Sequence, residues 1–238
     1  KYWAGCNHLK PIDYTNLMED FEVIKANKLK TEIFEKAITV TQNRENLVPI
    51  KELMNVKIAS LAIASPKNND FQEYLQQNTA IETFNISTKP ARVSEYAAII
   101  DKASKADIVI VSVHETTNSD KHNFGISDGT IDIIQAISRK TKVIVSVFGN
   151  PYCMKFFENF DTVICGFEDE PEAHMAMSNI IFGVIGSAGK IPVNTLSEDA
   201  KLNSGIATKS LTRITMDLPE NVGMSSIKLN KIKNIILY

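Results

Sequence analysis

At 238 residues, with 44% hydrophobic and 23% charged side chains, the chain has an ordinary folded composition and length enough for a large core. A net charge of −2 gives no electrostatic footprint for nucleic acid or an anionic membrane surface, and no apolar run approaches the roughly 18 residues of a membrane span. Three cysteines, Cys6, Cys153 and Cys165, are too few and too scattered for a disulfide framework, and no C-x-x-C pair points to zinc.

In chain order, residues 1–21 read as irregular. Residues 26–38 place Leu29, Ile33, Phe34, Ala37 and Ile38 at helical spacing, after which 38–41 turn β-like. A rhythm then begins. Residues 57–64 form a buried strand, 69–77 a helix with Phe71, Tyr74 and Leu75 on one face, and 81–86 an alternating strand. Residues 92–104 predict a helix, 107–113 the strongest strand, 130–137 a helix and 142–148 a strand. A short helix over 152–157, a strand over 161–165, a helix over 172–182 and a short edge strand over 191–193 complete the series. Continuous Val/Ile runs alternating with amphipathic helices mean a parallel sheet covered on both faces. The expectation is an α/β fold over residues 26–195: a doubly wound, mostly parallel sheet of five or six strands. Residues 196–224 are polar and turn-rich and read as a linker. Residues 225–238 show a new apolar stripe, Ile227, Leu229, Ile232, Ile235 and Ile236, which requires a partner surface.

Several short motifs invite chemistry. Gly183, Gly186 and Gly189 followed by Lys190 suggest a phosphate loop, but they follow a helix and lack the required spacing, so they read as a helix stop. Gly125-Ile126-Ser127-Asp128-Gly129 matches G-x-S-x-G, yet no strand leads directly into it, as a nucleophile elbow needs. Ser127 or Asp128 reads more simply as the cap of the helix beginning near Thr130. Two S-x-x-K matches, at Ser187 and Ser225, lack the companion elements of a penicillin-binding site. Asp169 and Glu170 precede Pro171, where carboxylates support a helix dipole. The loop 114–125 is different. It leaves the carboxyl end of the best strand, where open α/β sheets bind ligands, and it is long and polar. Its His114, Asn118, Lys121, His122 and Asn123 are the substrate-cleft candidates. His114, Glu115 and His122 match no metal-ligand spacing, so neither metal nor cofactor is assigned.

Four segments in order carry a resemblance: Thr39-Val-Thr-Gln-Asn43 with Asn46-Leu-Val-Pro-Ile50, Asp107-Ile-Val-Ile-Val-Ser-Val113, Val147-Phe-Gly-Asn-Pro-Tyr152, and the stretch from Glu168-Asp169-Glu170-Pro171-Glu172-Ala173 to Gly189-Lys-Ile-Pro-Val193. Together the chain resembles the C-terminal α/β sandwich domain of glycoside hydrolase family 3, most closely its bacterial β-N-acetylglucosaminidase branch. The resemblance implies that residues 1–25 are the exit from an N-terminal barrel. Residues 221–229 are similar to the opening helix of a serine β-lactamase-like domain, which makes 225–238 the first helix of that domain. It further implies a non-catalytic accessory domain of an exo-acting β-N-acetylhexosaminidase or β-glycosidase, docked on a barrel that holds the catalytic residues. The isolated chain is then expected to be inactive, its carbohydrate substrate met through the full-length enzyme, and the parent protein exported. No catalytic residue is assigned here. The alternatives are an independent serine hydrolase using Ser127 and a carbohydrate-binding module using the 114–125 loop.

Overall fold

The computed structural model describes residues 3, 23–65, 69–211, 213, 219 and 223–236; apart from Trp3, the 1–21 stretch lies outside the described residues. Six strands, β1 (Thr39–Asn43), β2 (Ile58–Ile63), β3 (Ile81–Ile86), β4 (Ile108–Val113), β5 (Lys142–Val147) and β6 (Thr162–Cys165), form one sheet in the order β1-β6-β5-β4-β2-β3. Neighbours run parallel except β1, which pairs antiparallel with β6. Helices α1 (Val23–Ala37), α2 (Asp70–Gln76), α3 (Ala97–Ala103), α4 (Asp128–Ser138) and α5 (Pro171–Ile181) flank it, and α6 (Ser226–Ile236) follows.

Successive strand residues point to opposite faces, and the two cores follow that alternation. Val109, Val111 and Val113 of β4 join Val143, Val145 and Val147 of β5 in the core beneath α3 and α4. Ile108, Ile110 and Ile144 turn the other way, into the core beneath α1, α2 and α5. Each fully buried Ile or Val stabilises by about 1.5–3 kcal/mol relative to exposure, so no one-residue slip of register is tolerated.

Local chemistry sets the boundaries. Asn69 caps α2 through its side chain, accepting from the Gln72 N–H, and Ser127 caps α4 by accepting from the Thr130 N–H. Pro171 occupies the first turn of α5. Gly183, at φ +70°, turns the chain away from that helix. Gly189 packs so tightly under β1 that an added Cβ would lie 2.4 Å from the carbonyl oxygens of Ala37 and Ile38. Beyond it, the Ile206 N–H donates to the Val40 carbonyl (2.8 Å), covering the β1 edge.

Three expectations need correction. Residues 191–193 form no strand: Ile191 is buried and pairs with Asn203 and Ser204 in a turn, and Pro192 lacks the N–H a ladder needs. The helix expected over 92–104 opens as a 3-10 turn, Val93–Tyr96, before α3. The short helix near 152 is likewise a 3-10 helix, Pro151–Phe157, capped by Asn150. On α6, Ile227, Leu229 and Ile232 stand exposed.

Ile144→Ala, at the centre of β5, is expected to lower the unfolding free energy by about 2–5 kcal/mol. Ile232→Ala on the exposed face of α6 is expected to change it by no more than about 0.5 kcal/mol. Urea denaturation followed by circular dichroism measures both.

Candidate functional site

His114 follows β4 directly, and its N–H continues the ladder by donating to the Ile63 carbonyl at 3.1 Å. The alternation therefore persists past the strand end. Ser112 and His114 share the face of Ile108 and Ile110, so the imidazole points under α5 rather than out with its loop, and the residue is 3% exposed. Glu115, at φ +50°, then turns the backbone away. On the other side, Phe167, at φ +65°, bends the chain after β6. The chain then passes Asp169 and enters α5, whose inward face carries Ala173, His174 and Met177. Two histidines sixty residues apart thus meet one carboxylate.

Asp169 Oδ1 lies 2.9 Å from His114 Nδ1 and 2.7 Å from His174 Nε2. The far side of His114 identifies its tautomer. Asn69 Oδ1 accepts from the Gln72 N–H, so Nδ2 is the amide atom that faces His114 Nε2 at 3.2 Å. His114 Nε2 therefore accepts, from Asn69 and from Ser112 Oγ at 2.9 Å, and Nδ1–H donates to Asp169. His174 Nε2–H donates to the same oxygen, while its buried Nδ1 has no partner among the described residues. Phe148 stacks on His114 with centroids 5.1 Å apart and meets His174 edge-on at 4.4 Å. Both rings are thereby fixed. Burial pushes the Asp169 carboxyl up, but the hydrogen bonds and charges of His114 and His174 outweigh it, holding the group well below the usual carboxylate range.

Asp169 also borders a cleft of about 470 Å³ at the carboxyl edge, walled by Thr116, Asn118, Asn150, Tyr152, Phe167 and Glu168. Of the sequence candidates, Asn118 lines this cleft, and its Oδ1 accepts from Asn150 Nδ2 at 3.0 Å. Lys121, His122 and Asn123 lie exposed on the 3-10 segment Asp120–Gly125, apart from the cleft lining. Glu115 is turned out, so the trio His114, Glu115 and His122 does not assemble into a donor group. Ser127 Oγ donates to the Pro90 carbonyl at 2.7 Å and contacts Thr130 Oγ1, with no imidazole among its partners. Burial pushes the Cys165 thiol up to about 12 and that of Cys153 higher still, so neither is a ready nucleophile.

The reading of Asp169 as a helix-dipole partner is corrected. It stands before the N-cap, Glu170, and spends its hydrogen bonds on the two histidines. Glu170 bonds no backbone N–H of the helix; it pairs with Lys30, as does Glu172. Sequence reasoning missed Asn69, Ser112, Asp169 and His174 as partners of His114. The one available signal was the serine and histidine continuing the inward parity of β4.

The family model for the glycosyl hydrolase family 3 C-terminal domain matches residues 26–225. No curated protein matches the chain. Among solved structures, a fungal multi-domain GH3 β-N-acetylglucosaminidase with a GCN5-related glucosamine N-acetyltransferase region is similar at 24% identity and TM-score 0.60, over 90% of this chain and 24% of that one. A GH3 β-N-acetylglucosaminidase from Paenibacillus sp. str. FPU-7 is similar at 18% identity and TM-score 0.57, over 71% of this chain and 33% of that one. The β-glucoside phosphorylase BglX is similar at 18% identity and TM-score 0.63, over 82% of this chain and 37% of that one. The chain thus spans only 24–37% of these three proteins.

A carboxyl group with a depressed folded-state pKa contributes stability that is present above its unfolded pKa and is lost as pH falls toward the folded value. Wild-type protein is therefore expected to lose stability progressively below about pH 5. Asp169→Asn is expected to be less stable near neutrality and to lose that part of the pH dependence. Urea midpoints at several pH values check both.

Proposed function

Because the chain belongs to the glycosyl hydrolase family 3 C-terminal domain family, we propose that it is the accessory α/β domain of a multidomain exo-acting β-glycosidase, of the β-N-acetylhexosaminidase type. In this reading it docks against a catalytic barrel with the carboxyl edge of its sheet. The loop carrying Asn118 and the turn carrying Asn150 and Tyr152 then form one lip of the substrate cleft. The α6 stripe faces a following domain, of the serine β-lactamase-like kind.

The observation that carries the proposal is the family match over 26–225, set beside chains of glycoside-acting enzymes that this one spans only in part. Two features of the site support a non-catalytic role. Ser127, the candidate nucleophile, spends its hydroxyl on capping α4. Asp169 is bound to two imidazoles, and its low pKa suits a fixed anion better than a general acid that must be protonated near neutrality. The cleft residues Asn118, Asn150 and Tyr152 offer amide hydrogen bonds and an aromatic face, which suits a sugar ring at the edge of a larger site.

The chain alone is expected to release no chromophore from an aryl β-N-acetylglucosaminide. Turnover by the isolated chain would overturn the accessory reading, and its persistence in Ser127→Ala would then exclude Ser127 as the nucleophile. In the parent enzyme, Asn118→Ala with Tyr152→Ala is expected to raise KM more than it lowers kcat, as removal of binding common to ground and transition states does. An unchanged KM would separate this edge from the substrate.

A further inference from the structure

We propose that His114, Asp169 and His174 form a zinc site at the carboxyl edge of the sheet. Their donor atoms all lie within 4.8 Å of one another, and the carboxylate oxygen is 2.9 and 2.7 Å from the two nitrogens. Ligands held about 2.0–2.1 Å from a tetrahedral zinc stand about 3.3 Å apart, so the carboxylate must withdraw by about half an ångström and the two ring nitrogens, within 4.8 Å of each other, must come to the same spacing. Asp169 has that freedom. It lies between β6 and α5, its side chain is 37% exposed, and its second oxygen holds only a 3.4 Å contact with the Glu115 N–H. Two imidazoles and one carboxylate suit zinc, whereas magnesium and calcium favour all-oxygen sets.

The surroundings supply an outer partner for one of the two imidazoles. A metal-bound imidazole gives its other N–H to an outer partner. Ser112 Oγ stands 2.9 Å from His114 Nε2 and can accept that proton. Zinc at His114 Nδ1 requires the ring proton to move from Nδ1 to Nε2. The Asn69 amide, which then faces an N–H, retains Ser65 Oγ as its acceptor at 2.5 Å. His174 likewise moves its proton to Nδ1, which has no partner among the described residues, so a water must enter to accept it. Phe148 holds both rings. Asp169 borders the 470 Å³ cleft, which provides the path of entry and leaves the fourth position to water or a ligand atom. The zinc then ties the end of β4 to the start of α5 whatever the activity of the parent protein.

The test uses the full chain, stripped with a chelator and titrated with zinc near pH 7 by calorimetry and thermal melting. One zinc per chain is expected, with a raised melting temperature. Asp169→Asn and His174→Gln are each expected to weaken binding by more than about 100-fold, and Ser112→Ala by about 10-fold as an outer partner. His122→Ala should bind as the wild type does. Nitrogen-15 spectra of the histidine rings should show His114 change from the Nδ1–H to the Nε2–H form on saturation. Absence of binding, binding retained in both ligand variants, or equal binding of calcium would each overturn the proposal. If the variants fail to fold, an unchanged His114 tautomer in wild-type protein at saturating zinc overturns it as well.

Discussion

In β4, Ile108 and Ile110 turn to one side of the sheet while Val109, Val111 and Val113 turn to the other, and helices close both sides. In a strand buried on both faces, an unpaired polar group is costly. A larger polar cluster is accommodated most easily where the strand leaves the sheet. Ser112 and His114 are the last two inward positions on the face of Ile110, and they begin a polar cluster that includes Asn69, Asp169 and His174. The placement of the candidate site is thus a consequence of how the sheet is covered.

The carboxyl edge is shaped by backbone as much as by side chains. Ala64, Glu115 and Phe167 adopt left-handed conformations, at φ +57°, +50° and +65°, immediately or closely after β2, β4 and β6. For residues with a Cβ this costs of order 1 kcal/mol or more each. The turns are sharp enough to send the following loops over one another, and 116–118, 149–152 and 167–169 converge on a single cleft. Asp169 is common to the cleft and the buried cluster, so it couples the cleft wall to the histidines beneath it. Removing its charge affects the stability of the edge and the shape of the cleft together.

The architecture was largely legible because its signals are local. The Val/Ile runs predicted β2, β4, β5 and β6, Ser127 or Asp128 marked the start of α4, where the structure selects Ser127, and Pro171 and Gly183 bracketed α5. The departures have local causes too. Pro192 removed a ladder donor, and 92–104 split where Tyr96, with φ −113° and ψ 13°, interrupts the helical backbone. The candidate site was only partly legible. The 114–125 loop was read as one functional unit, yet Glu115 turns His114 away from its neighbours. Asp169 and His174 lie on a different loop and helix, where their spacing alone signals nothing.

By itself the sequence determined the segments of β2 to β6, that the sheet is buried on both faces, and that a polar loop leaves its carboxyl edge. Those properties follow from side-chain periodicity and from caps that act within a few residues. The tertiary structure decided which polar residues meet. The order β1-β6-β5-β4-β2-β3 sets β4 and β6 on either side of β5, and the helix that follows β6 crosses back over the face to which β4 presents His114. Hydrogen bonds between residues 55 apart in the chain, such as His114 to Asp169, depend on that crossing, because no local propensity relates two side chains at such a distance.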